Sequence, residues 1–128
     1  MADYAYGKQA DGPFDEVQKR VEAELAQEGF GIVSRIDMRE RLKEKLGIDF
    51  PRYVILGACS PSLAKGSLDA EREIGLLLPC NVIVYEDDGR TRVSAIRPTR
   101  VMKMVGNEAL DGIAREVEAK LQRALDRV

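Results

Sequence analysis

A chain of 128 residues fits one domain that buries roughly two-thirds of its unfolded surface, so it needs neither a disulfide nor a structural metal to fold. A net charge of −2 and an aromatic content of 5% argue against a nucleic-acid binder, which needs a basic face or stacking platforms. Histidine is absent, which removes imidazole general bases, Ser-His and Cys-His couples and the usual mixed zinc sites.

Residues 3–10 read as a first strand with Tyr4 and Tyr6 on one face. Gly12-Pro13 starts a helix, because proline is tolerated at the first helical position. Phe14, Val17, Val21 and Leu25 recur at helical spacing and give it one apolar stripe. Gly29 stops that helix, and Phe30 to Ile36 alternate as a second strand. Asp37-Met38-Arg39-Glu40 predicts a capped short helix carrying Leu42 and Leu46, ended by Gly47. Pro51 then precedes a third strand, Tyr53 to Cys59. Ser60 is expected to cap a third helix with Pro61 at its first position, reaching about Ile74.

Cys80 to Glu86 is the fourth strand. Asp87-Asp88-Gly89 is a hairpin signal, and Arg92 to Arg97 is the returning fifth strand. After a turn around Thr99 to Met104, Asn107 caps a final helix striped by Leu110, Ile113, Val117, Leu121 and Leu125. Asp111/Arg115 and Glu116/Lys120 stand at the four-residue spacing of helical ion pairs.

This order predicts an α+β two-layer sandwich over residues 1–128. One mostly antiparallel mixed sheet carries its helices on one face, in split β-α-β order with an added hairpin strand and C-terminal helix. Ile83, Tyr85, Val54 and Leu56 place apolar groups on both faces of two strands, more than a solvated face requires. A homodimer packed through the sheet or its edge is therefore expected. The apolar fraction of 45% and charged fraction of 33% are those of a globular protein. No apolar run approaches the roughly 18 residues that span a bilayer. Met1-Ala2-Asp3-Tyr4 lacks the pattern of an export signal, so a cytoplasmic location with reduced cysteines is expected.

Gly29-Phe30-Gly31-Ile32, Leu42 to Gly47, Ile55 to Cys59 and Glu73-Ile74-Gly75-Leu76-Leu77-Leu78-Pro79-Cys80-Asn81-Val82 carry a likeness. In these blocks, and in their order, the chain resembles the domain-of-unknown-function family 302 over nearly its whole length. The resemblance implies a small two-layer α+β domain, often paired as a homodimer, and implies no activity and no catalytic residues. Ser60 departs mildly from the family pattern, where a residue such as Asn precedes the proline.

Cys59, at the expected entrance to the third helix, lies near free N–H groups and the positive end of the helix dipole, a setting that favours thiolate. Its functional reading is a redox-active, ligand-binding or nucleophilic thiol, and its structural reading is tight packing beside Gly57-Ala58. Cys80, opening an apolar strand, reads as buried filling. In the split β-α-β arrangement their strands run parallel, which puts the two thiols roughly 15–20 Å apart and excludes a shared site. Arg90, Arg92, Arg97, Arg100 and Lys103 lead into the last helix without an intervening acid. This suits a small anionic ligand, and the structural reading is a solvated hairpin face whose arginines answer Glu86, Asp87 and Asp88.

Met102 and Met104, with Met38, offer thioethers to Cu(I), although methionines more commonly fill cores. Lys65-Gly66-Ser67 lacks the upstream glycine of a phosphate loop, and no cofactor motif is present. The sequence thus supports a homodimeric binder of a small, anionic ligand or of a protein partner, with Cys59, Ser60, Arg97 and Arg100 as candidate contacts. The alternative is a redox-active or soft-metal protein acting through Cys59.

Overall fold

The computed structural model describes residues 2–128; Met1, one of the residues read for an export signal, lies outside the described residues. Five strands, β1 (Ala5–Ala10), β2 (Gly31–Asp37), β3 (Tyr53–Cys59), β4 (Cys80–Asp87) and β5 (Arg90–Ile96), form one sheet in the order β1-β5-β4-β3-β2. Every neighbouring pair is antiparallel, so the sheet is not mixed. In particular β3 and β4 run antiparallel, with Ala58 opposite Cys80.

The expected parallel arrangement is corrected here, and the reason lies in the connection. Helix α3 (Pro61–Ala70) stops short of Ile74, and a 3₁₀ segment, Arg72–Leu77, brings the chain back. The excursion leaves and re-enters at one edge of the sheet, and β4 starts beside the end of β3. The other connections follow local chemistry. Asp88 (φ 52°) and Gly89 (φ 74°) make the two-residue turn between β4 and β5, as a type I′ hairpin requires.

Helices α1 (Phe14–Gln27) and α5 (Asp111–Asp126) cover one sheet face. Of the expected stripe of the last helix, Leu110 is buried instead beside Ile74, Met102 and Ala114, and Ile113 is half-buried. The stripe Phe14, Val17, Val21 and Leu25 is buried as expected, and Val117, Leu121 and Leu125 meet it. They pack on Val54, Leu56, Val82, Val84, Val93 and Ala95, the inward set of the three central strands. Ion pairs tie the two helices along their solvent edge, Arg123 to Glu28 at 3.0 Å and Arg127 to Glu24 and Glu28, each at 2.9 Å.

Asn107 accepts from the Ala109 N–H and donates to the Ala70 carbonyl. It thereby caps the 3₁₀ turn Glu108–Leu110 that runs into α5, and binds that turn to the end of α3. A short helix α4 (Pro98–Val101) and a 3₁₀ turn, Met102–Val105, fill the preceding segment.

Helix α2 (Met38–Leu46) differs. Asp37 accepts from the Glu40 N–H at 3.0 Å and Gly47 closes the helix in the left-handed region, as the sequence predicts, but no residue of α2 is buried. From Gly31 to Phe50 no side chain is buried, and Leu46, Ile48 and Phe50 stand exposed. Of the expected apolar stripe of this helix, Leu42 is half-buried and Leu46 exposed.

Candidate functional site

Alternation along the strands sends a second set of side chains to the side of the sheet away from α1 and α5. Register pairs Tyr53 with Tyr85, Ile55 with Ile83 and Ile36 with Ile55, so these residues share that face. None is buried, and Ile36 is exposed. Tyr53 and Tyr85 stack at 5.4 Å between ring centroids, and Phe50 joins Tyr53 at 6.4 Å, within the range of favourable aromatic pairs.

Beside this patch runs a groove of about 260 Å³ lined by Tyr4, Tyr53, Asn81, Ile83, Ser94 and Ile96, with Ala5 and Ala95 completing it. Gly7 lets β1 approach β5 closely beside it, because a Cβ would come within 2.8 Å of the Val93 carbonyl. Burial, then the neighbouring Tyr85 and Tyr4, push the Tyr53 phenol above its ordinary value of 10.0, so it remains a neutral donor. Apolar walls with a few convergent polar groups are the ordinary make-up of a small-molecule site. No Lys or Arg lines this groove.

The thiols form a second locus. Cys59 is half-buried and Cys80 buried, and both are free. Because β3 and β4 are antiparallel, they line one cavity of about 20 Å³ with Phe30, Ser60, Leu63, Pro79 and Met102 among its walls. The expected separation is therefore overturned. Burial, with a contribution from Cys59, pushes the Cys80 thiol up to about 11. Ser60 occupies the capping position of α3 with extended backbone, yet its side chain makes no capping hydrogen bond.

Arg97 and Arg100 lie elsewhere, and neither lines the thiol cavity. Arg97 donates to Glu118 Oε2 through Nε and Nη2, both at 3.3 Å, and Arg100 pairs with Asp3 at 3.2 Å. Glu118 also accepts from the Thr99 N–H at 3.0 Å and the Thr99 hydroxyl at 2.6 Å. Burial pushes this carboxyl up, but the bonds from Thr99 and Arg97 outweigh it and hold Glu118 below its usual 4.5. Arg100 and Lys103 do meet the start of α5, in an open groove with Asp111 and Arg115. The four sequence-based candidates thus divide, Cys59 with Ser60 and Arg97 with Arg100.

Sequence reasoning missed Asn81 and Ser94, although their alternation with buried Val82, Val93 and Ala95 places them on the uncovered face. It also missed Glu118, signalled by a carboxylate set between Val117 and Leu121 of the buried stripe.

Comparison with known proteins agrees with this architecture. A crystal structure of an uncharacterized conserved protein DUF302 from Bacillus stearothermophilus superposes with a TM-score of 0.92 at 35% identity, covering 98% of each chain. No curated protein matches the sequence. The family model described as domain of unknown function DUF302 matches residues 6–128, and the chain belongs to that family.

Proposed function

We propose that this chain is a cytoplasmic one-domain binding module that pairs with a second copy through the uncovered sheet face and holds a small ligand in the groove there. The observation that carries the reading is the apolar, tyrosine-rich face opposite α1 and α5. Soluble monomers rarely leave contiguous apolar patches beyond a few hundred Å².

A second copy laid on this face would roof the groove and dry it. The lining selects a mainly apolar ligand with hydrogen-bonding groups for Tyr53, Asn81 and Ser94. An anionic ligand draws less support, because Arg97 and Arg100 already answer Glu118 and Asp3. Sedimentation equilibrium with a thermal-shift screen of neutral aromatic and anionic metabolites tests both parts. A dimer stabilised by neutral compounds is expected; a monomer indifferent to every compound overturns the reading.

A second reading, thiol chemistry through Cys59, is favoured by the convergence of both cysteines on one cavity. It predicts that folded Cys59 is alkylated faster than a model thiol at pH 7, and slower alkylation contradicts it.

A further inference from the structure

Two apolar surfaces outside the sheet face stand open, and they carry opposite charge. One is a groove of about 220 Å³ between the 3₁₀ segments Arg72–Leu77 and Met102–Val105. Its walls include Leu76 and Met104, the two most exposed large apolar side chains among the described residues, at 83% and 73%. Glu71 and Glu73 are the charged residues that line it, and neither forms an ion pair among the described residues.

The other surface is α2, where Arg39, Arg41, Lys43 and Lys45 outnumber Glu40 and Glu44. Of these cations only Lys43 has an ion-pair partner among the described residues, Asp49. Leu42 and Leu46, one helical turn apart, share a face, and Leu46 and Ile48 beyond it stand exposed. An apolar seat with an acidic rim complements an apolar stripe with a basic flank.

One copy cannot fill its own groove. Helix α2 joins the end of β2 to the start of β3, whereas the groove lies where β3 ends and β4 begins. The seven residues of β3, roughly 20 Å of strand, separate the two ends. Both ends border the uncovered face. Phe50, just past α2, packs on Tyr53. Pro79, just past the groove, lies over Gly57, where a Cβ would come within 2.7 Å of the proline ring. Gly57 alternates with Tyr53 and Ile55, so this is the uncovered side. Two sheets stacked by that face with their strands reversed bring the α2 end of each chain over the groove end of the other. A two-fold axis makes both contacts at once.

We propose that α2 of each copy lays Leu42 and Leu46 in its partner's groove of Leu76 and Met104, with its basic flank against Glu71 and Glu73. The exchange rests on the sheet-face pairing proposed above and assigns what the two ends of that pair do. It accounts for a capped, regular helix that leaves Leu46 uncovered within one chain. Because the seat belongs to the other chain, Leu46 contributes to pairing and little to the unfolding of a chain held apart.

Fluorescence-detected sedimentation of Leu46→Glu, Leu76→Glu and their mixture tests it, with Ile83→Glu measured beside them. Both leucines are exposed, and circular dichroism checks that each variant folds. Either variant alone breaks both contacts, so its dissociation constant is expected to rise about 10-fold or more. Labelled Leu46→Glu is expected to pair more tightly with Leu76→Glu than with itself, because the intact helix of one chain then meets the intact groove of the other. Dissociation constants unchanged in both variants, or a mixed pair no tighter than the variants alone, overturn the exchange. In either case dissociation of the pair by Ile83→Glu keeps the sheet-face reading. A pair that survives Ile83→Glu yet shows the mixed rescue supports the exchange and overturns the sheet face, and a monomeric wild type overturns both.

Discussion

On the helix side of the sheet Val17, Val21, Leu25, Leu121 and Leu125 reach zero exposure, whereas Leu46 of α2 keeps 66% and Ile36 38%. Residues of similar hydrophobicity end in opposite states because only one side of the sheet has two helices packed side by side on it. Along α1 and α5 each apolar position meets another, and fixed ion pairs close the solvent edge. From β2 to Phe50 the chain is as regular, with a capped helix and a closed turn, yet no side chain there is fully buried, and Ile32 reaches the core only half-buried. Regular local structure and tertiary anchoring are separate achievements in this molecule, and the part that lacks anchoring borders the sheet's uncovered face.

Substitution should expose that contrast most strongly at the leucines. Leu121→Ala removes a fully buried side chain and should cost about 2–5 kcal/mol in urea unfolding, whereas Leu46→Ala should stay within about 0.5 kcal/mol. A large loss at Leu46 would mean that α2 is anchored after all.

Glu118→Gln comes next. It leaves Thr99 and Arg97 with a neutral partner in a largely buried setting, and should cost about 1.5–3 kcal/mol. The sign of its pH dependence follows from the lowered carboxyl. Its contribution is complete above the usual value of 4.5 and is lost as pH falls through the lower folded value. Stability of the wild type should therefore drop more steeply below pH 4.5 than that of the variant. Glu22, lowered by Arg35, keeps part of the acid limb in both.

The two side-chain caps give the smallest and finest comparison. Asn107→Ala loses an N–H acceptor and the bond to the Ala70 carbonyl, and should cost about 1–2 kcal/mol. Asp37→Ala loses the Glu40 N–H alone on a helix that buries nothing, and should cost about 0.5 kcal/mol or less. Equal losses would erase the distinction.

Much of this was legible in the residues. Period and punctuation located all five strands, the stripe of α1 named its buried positions, and that of α5 named Val117, Leu121 and Leu125 while Ile113 stays half-buried, because each pattern is local. The surplus of apolar groups at Ile83 and Tyr85 points to the uncovered face. What was not legible is where the chain re-enters the sheet after α3. The segment between Cys59 and Cys80 is compatible with crossing the sheet or with returning to the same edge. Its 3₁₀ return through Arg72–Leu77 carries no strong periodic signal. That one topological choice decides whether the thiols lie apart or share a cavity. The partners of Arg97 and Arg100 were hidden for a similar reason, since Glu118 and Asp3 are distant in sequence and the nearby acids Glu86, Asp87 and Asp88 are not the ones that pair with them.

The central claim, that the uncovered sheet face is where a second copy binds, is tested most directly by sedimentation equilibrium of the wild type beside Ile83→Glu. The wild type should sediment at twice the chain mass of 14.2 kDa, and Ile83→Glu at 14.2 kDa with an unchanged circular dichroism spectrum. A monomeric wild type, or a dimer that a charge at position 83 leaves intact, would contradict it.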